Sequence, residues 1–307
     1  MGFVFEGHRP AWVDEELYPF QDHWVELPDD GAIHYLDECP PEGTPSAGTV
    51  VFVHGTPTWS FEWRQLIAGL RATHRCLALD HLGFGLSERP ATGTYTPEAH
   101  AARFRAWLDA LSLTDFTLVV HDFGGPIALP AALDEPARLR ALIVLNSFMW
   151  ATRGDQHLEK GGRIMGGRFG LFVYRHLNAS LKIITPMAYA ERKKLTPRIH
   201  AQYLAPFTGI DSRERVLWAL AHALLASSDF YGSQWERRAA LSTLPALIVW
   251  GTKDPAFQLQ HLARWREALP SAEVVELPVG HWPQEEAPEE VLAAVRAFLA
   301  RVEPAAG

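Results

Sequence analysis

At 307 residues, with 48% hydrophobic and 21% charged content, the chain has the size and composition of one enzyme-sized globular unit. Its 28 Lys and Arg against 36 Asp and Glu leave a net charge of −8, which as a whole-chain average offers no attraction to phosphate backbones or anionic lipid, so neither nucleic acid nor membrane is an expected partner. Two cysteines, Cys39 and Cys76, are too few for a disulfide framework and make the cytoplasm the expected location.

The first twenty residues lack a basic region followed by an apolar core, and no later run approaches the roughly 18 apolar residues of a membrane span. Gly2 is followed at position 6 by Glu rather than Ser or Thr, which argues against myristoylation. His23–Leu27 and Ala32–Leu36, separated by Pro28-Asp29-Asp30-Gly31, predict an opening antiparallel hairpin. Six short β-branched apolar runs follow: Thr49–Val53, Cys76–Leu79, Phe116–Val120, Leu142–Leu145, Ala246–Trp250 and Glu273–Leu277. Each ends in a Gly, Asp or polar cluster, and helical patterns lie between them, as in a mostly parallel sheet. Eight strands are therefore expected.

The rhythm breaks after Phe148. Nearly a hundred residues then offer helical patterns rich in Arg and aromatics and no convincing strand. The expected organisation is an α/β core from residues 1–148 and 241–307, with residues 149–240 inserted as a helical cap over a pocket. The tail Glu303-Pro-Ala-Ala-Gly307 reads as frayed.

Phe116–Val120 runs through His121-Asp-Phe-Gly-Gly125 directly into a helical pattern, which sets Asp122 at the apex of a strand–turn–helix elbow. This is the G-x-S-x-G arrangement with Asp in the serine's place. A carboxylate is ionised at neutral pH and suits displacement at a saturated carbon, leaving an alkyl ester on the enzyme. Hydrolysing that ester requires an activated water. His281, in Val279-Gly-His-Trp-Pro283, is the expected base, and Asp254, in Gly251-Thr-Lys-Asp-Pro255, its carboxylate partner. The order nucleophile, acid, histidine fits this fold. Thr56, in His54-Gly-Thr-Pro57, and Phe123 are expected to supply oxyanion-hole N–H groups. Asp80 reads as a turn-forming structural residue, and Pro130 as a kink in the elbow helix. No HExxH, phosphate loop or GxGxxG after a strand is present, so no metal or other cofactor is expected.

At these residues the sequence resembles the haloalkane dehalogenases, within the larger α/β-hydrolase superfamily that includes epoxide hydrolases. The loop His54-Gly-Thr-Pro-Thr-Trp-Ser-Phe-Glu-Trp-Arg64, the elbow His121-Asp-Phe-Gly-Gly125 and Tyr203-Leu-Ala-Pro-Phe207 carry the likeness, which spans nearly the whole chain. It implies cleavage of a carbon–halogen bond in a small apolar organic substrate with water, giving alcohol, halide and a proton. The family usually has Asn where Thr56 stands and Trp where Phe123 stands, both donating to the halide. Trp218 or Trp235 are the candidate replacements. Trp150 stands where some members carry a catalytic Glu, which leaves the acid role to Asp254. Two alternatives stay open on the same fold: an epoxide hydrolase using a pair among Tyr174, Tyr189, Tyr203 and Tyr231, or an esterase. A third, of another class, is a non-catalytic ligand-binding relative.

Overall fold

The computed structural model describes residues 9–27 and 31–303. Gly2, the turn residues Pro28, Asp29 and Asp30, and the tail beyond Glu303 lie outside them. Among the described residues, no helix is long and apolar enough to cross a membrane.

Eight strands form one sheet: β1 (Asp22–Leu27), β2 (Gly31–Glu38), β3 (Thr49–Val53), β4 (Arg75–Leu79), β5 (Phe116–Asp122), β6 (Leu139–Ser147), β7 (Ala246–Gly251) and β8 (Glu273–Leu277). Their spatial order is β1-β2-β4-β3-β5-β6-β7-β8. The pairings β1 with β2 and β2 with β4 are antiparallel, and every pairing from β4 through β8 is parallel. The central strands β5 and β7 are buried along their whole length, which is why they read as continuous apolar runs rather than alternating ones. At the edge, β8 is partly exposed and carries Glu273 and Glu276, charges that blunt an open edge.

Two helix pairs cover the sheet, Arg64–Leu70 with Pro288–Val302 and Pro97–Ala110 with Gly124–Asp134. Pro97 occupies the first turn of its helix, where a missing N–H costs nothing, and Thr96 caps it by accepting from the N–H of Ala99. The helix Gly124–Asp134 runs on through Pro130. Proline there removes the N–H that would pair with the carbonyl of Pro126, and the Nε2 of Gln234 donates to that carbonyl instead, at 2.9 Å. Pro130 thus provides an attachment point for a helix, Ser228–Glu236, that arrives from far along the chain.

Between β6 and β7 all regular structure is helical. Asp155 caps Gln156–Met165 by accepting from the N–H groups of His157 and Leu158. Helix Arg168–Leu177 ends at Asn178 in the left-handed conformation, as helices often do at Gly or Asn. Wide π-type turns occupy Ser180–Ile184 and Arg213–Trp218. This insertion is fastened to the rest of the molecule at several points besides Gln234. Trp59 Nε1 donates to the Gln202 carbonyl, Arg89 Nη2 to the Pro206 carbonyl and His157 Nε2 to the Pro255 carbonyl.

Asp80 is fully buried and structural. Its Oδ1 accepts from the N–H of Ser60, and its Oδ2 from the N–H of Leu86 and from His34 Nδ1.

Candidate active site

Strand β5 ends at Asp122 with φ at +50°, a left-handed conformation that costs a non-glycine residue about 1–2 kcal/mol. Its surroundings hold it there. The β5–β6 register shifts between His121 and Asp122, and Ser147 Oγ donates to the Asp122 carbonyl at 2.6 Å. The helix must then approach β3 closely: a Cβ at position 124 would lie 2.2 Å from the carbonyl oxygen of Val53, so only glycine fits. On the opposing loop, a Cβ at position 55 would lie 2.3 Å from Asp122 Oδ1. Gly55 therefore clears the space into which the carboxylate points.

The Thr56 N–H donates to Asp122 Oδ1 at 2.8 Å, and the Phe123 N–H also donates to this carboxylate. The other oxygen, Oδ2, faces His281 Nε2 at 3.5 Å. His281 Nδ1 donates to Asp254 Oδ2 at 2.8 Å. The structure therefore brings together all five residues marked in the sequence, Asp122, His281, Asp254, Thr56 and Phe123. Burial by itself would raise the Asp122 carboxyl, but the hydrogen bond and charge of His281, with the Phe123 N–H, hold it below the ordinary range. Burial likewise works against a charged His281, and Asp254 and Asp122 together outweigh it, pushing the imidazole up to about 10.

Three further contacts shape the site. Asn146, at the end of β6, donates from Nδ2 to Asp254 Oδ2 at 2.8 Å and to the Gly251 carbonyl at 3.1 Å. Its Oδ1 accepts from the Gly251 N–H at 2.7 Å, so one side chain orients the acid and ties β6 to the end of β7. Beneath the histidine, His121 Nε2 donates to the His281 carbonyl at 2.8 Å, with its Nδ1 3.3 Å from the buried Glu62 carboxylate. Glu286 bridges the His281 loop to the insertion, accepting from the N–H groups of Gly280 and Glu191, while the His281 N–H donates to the Ala188 carbonyl. The sequence reading singled out none of Asn146, Glu62 or Glu286. The one available signal was a polar residue directly after an apolar strand run, at Asn146.

The walls are aromatic. Phe123 packs edge-on against Phe148 at 5.3 Å, and Phe257 lies 5.7 Å from the His281 ring. Thr56 Oγ1 is buried without a hydrogen bond among the described residues. Trp235 stands edge-on to Trp150 and under Arg238, while Trp218 stacks on His222. Trp150 itself stacks on His261 at 5.8 Å. Among the insertion tyrosines, Tyr203 donates to Glu285 and Tyr231 to the Ala223 carbonyl. Tyr189 stacks on Trp282. Burial pushes the Tyr174 hydroxyl up to about 12; Ser180 works against this by hydrogen bonding, and the Asp122 charge adds to it.

A strand-end acid at a tight elbow, with a histidine and second acid on the following strand-end loops of a parallel sheet, is matched by the sequence profile of the alpha/beta hydrolase fold over residues 48–288. The chain belongs to the alpha/beta hydrolase family. Within it, haloalkane dehalogenase 2 of Mycobacterium tuberculosis is 32% identical over 284 residues, covering 92% of this chain and 96% of the relative. The cis-3-alkyl-4-alkyloxetan-2-one decarboxylase of Shewanella oneidensis is 32% identical over 298 residues, covering 94% and 91% respectively. Among solved alpha/beta hydrolases, the haloalkane dehalogenase DatA from Agrobacterium tumefaciens superimposes with a TM-score of 0.81 at 24% identity, over 94% of this chain and all of that one, a likeness of fold.

Proposed function

We propose that this protein is a hydrolytic dehalogenase in which Asp122 is the nucleophile, His281 the base and Asp254 its partner, with residues 149–240 as the cap. The reading rests above all on the Asp122 carboxylate, held anionic with Oδ1 on the Thr56 N–H, the Phe123 N–H beside it and Oδ2 turned to His281. Oδ2 attacks the saturated carbon of a small apolar haloalkane, the carbon–halogen bond breaks, and halide departs with the bonding pair. Asp122 is now an ester and no longer charged. His281 loses one of its two anionic neighbours, its proton affinity falls, and it gives up its proton and becomes able to take one from water. The hydroxide adds to Cγ, and the oxyanion forms at Oδ1 against the two N–H groups. Collapse breaks the bond between Cγ and the alkyl oxygen, the proton of the added hydroxyl passes to the departing alkoxide to give the alcohol, and Asp122 is a carboxylate again, so the one net proton released is the one His281 gave up after the attack. The free thiols Cys39 and Cys76 fit a reducing, cytoplasmic setting.

A second reading follows from Phe123. A phenyl ring donates nothing to a departing halide, whereas opening an alkyl-substituted oxetan-2-one, the substrate named for the decarboxylase relatives, keeps the leaving carboxylate tethered and needs no such donor. Epoxide opening would fall to Tyr174 and Tyr189, since Tyr203 and Tyr231 already spend their hydroxyl protons on Glu285 and Ala223. The deciding experiment measures halide by ion chromatography from bromo- and iodoalkanes, and alkene with CO2 from a dialkyl oxetan-2-one, with Asp122→Asn as control. Halide from the wild type alone supports the dehalogenase; alkene without halide moves the function to the lactone. An Asp122→Asn variant as active as wild type on every substrate would refute the covalent route.

A further inference from the structure

The segment from residue 156 to 187 is unusual for this molecule in two respects. Six large apolar side chains stand exposed within one short stretch: Ile164, Phe169, Phe172, Leu177, Ile183 and Met187. Phe169 and Phe172 are 65% and 57% exposed and Met187 is 67% exposed, and only Ile210 and Leu259 are comparable elsewhere among the described residues. Along helix Arg168–Leu177 the division is clean. Gly170, Val173 and Tyr174 face inward, while Phe169, Phe172 and His176 recur at three- and four-residue spacing on the outside, the Phe172 and His176 rings 4.9 Å apart.

The second respect is charge. Residues 156–187 carry Lys160, Arg163, Arg168, Arg175 and Lys182 against the single acid Glu159, in a chain whose net charge is −8. Arg163 is paired with Glu159 and Arg175 with Glu214. Lys160, Arg168 and Lys182 make no ion pair among the described residues. The whole-chain charge hides this local excess, and fields in solution are screened beyond about 8 Å, so the patch acts on what touches it largely by its own charge.

We propose that this face, from Ile164 to Met187, docks on an anionic lipid bilayer, with Phe169, Phe172 and Met187 entering the headgroup boundary and Lys160, Arg168 and Lys182 on lipid phosphates. Apolar side chains interleaved with cations on amphipathic helices are what such a surface binds. A second copy of the chain fits less well, because a two-fold contact would set the same cations against themselves. Docking would also turn the insertion toward the phase in which apolar substrates collect, a consequence that rests on the function proposed above; the docking itself does not.

The test is co-sedimentation of the full chain with vesicles of phosphatidylcholine alone and of phosphatidylcholine with an equal share of phosphatidylglycerol. Wild type should bind the anionic vesicles, weakly or not at all the neutral ones, and less as salt is raised. Each cation near an anionic surface contributes about fivefold, so Arg168→Glu with Lys182→Glu should cost about 25-fold or more. Phe169→Ser with Phe172→Ser should cost at least about tenfold. Circular dichroism and turnover of a soluble substrate, unchanged in both double variants, would separate lost docking from lost folding. No binding by wild type, or binding unaltered in both variants, overturns the proposal. A concentration-dependent dimer abolished by Phe169→Ser with Phe172→Ser, without vesicle binding, would assign the face to a second copy.

Discussion

Removing the charge of Asp122 should release His281. In the free protein the imidazole lies between two carboxylates, Asp254 at 2.8 Å and Asp122 at 3.5 Å, and is held up to about 10. Coulomb's law at an effective dielectric of about 20 gives unit charges at the longer distance roughly 5 kcal/mol, an upper figure equivalent to about three and a half pKa units. Asp122→Asn keeps the shape and deletes that charge, so His281 should titrate at least about two units lower, near neutrality. The alkyl ester proposed as the intermediate does the same, which is how one histidine can be a cation before attack and a base after it. The measurement is a nitrogen-detected histidine NMR titration, with His281→Phe identifying the resonance among 14 histidines. A His281 in Asp122→Asn that still titrates near the wild-type value would refute the electrostatic account. Linkage gives a second readout from the same shift. Because the folded value is raised from 6.5 to about 10, the stabilisation is fully present below about 6.5 and is lost as pH rises toward 10. Thermal unfolding between those limits should therefore fall more steeply for wild type than for His281→Phe.

Other substitutions test the scaffold. Asn146→Ala leaves Asp254 Oδ2 and the Gly251 backbone short of partners, and should cost about 2 kcal/mol in urea unfolding and lower turnover. Gly55→Ala forces Asp122 Oδ1 to move, since the new Cβ would sit 2.3 Å away; kcat should drop by about a hundredfold with the fold retained by circular dichroism. Gln234→Leu strands the Pro126 carbonyl and should cost about 1–3 kcal/mol, but much less in a Pro130→Ala background, where residue 130 regains the N–H; a double-mutant cycle measures the difference.

How far the chain could be read without its structure depended on how local each cause is. Strand β5 was legible because both of its faces are buried, so Phe116–Val120 is apolar throughout; its last two residues, His121 and Asp122, were not, because they are polar and face the site. Strand β6 begins at Leu139, before the predicted Leu142, since Arg140 interrupts the apolar run while the backbone ladder continues. The residues that converge at Asp122 were visible because each sits in a loop marked by glycine or proline directly after a strand. Asn146 and Gln234 were not, since each acts on a partner 108 residues away and carries no neighbouring mark. Pro130 shows the same limit: read locally it is a defect in a helix, and only the arrival of Gln234 gives its freed carbonyl a role.

The physical terms at the leaving group are clear. The Thr56 and Phe123 N–H groups are taken up by Asp122, and in the proposed mechanism they serve the oxyanion rather than the departing anion. Two of the candidate donors for a halide, the Thr56 hydroxyl and the Trp218 indole N–H, are buried without a hydrogen bond among the described residues, while Phe123 offers only an apolar face. So few donors in an apolar wall stabilise a large, diffuse anion better than a small one, since the desolvation penalty grows as the ion shrinks. Iodide and bromide should therefore leave far more readily than chloride. Phe123→Trp, which adds a donor where the phenyl ring stands, should narrow that gap mainly by raising turnover of the chloroalkane. A selectivity unchanged by Phe123→Trp would mean that the leaving group departs elsewhere, as a tethered carboxylate would.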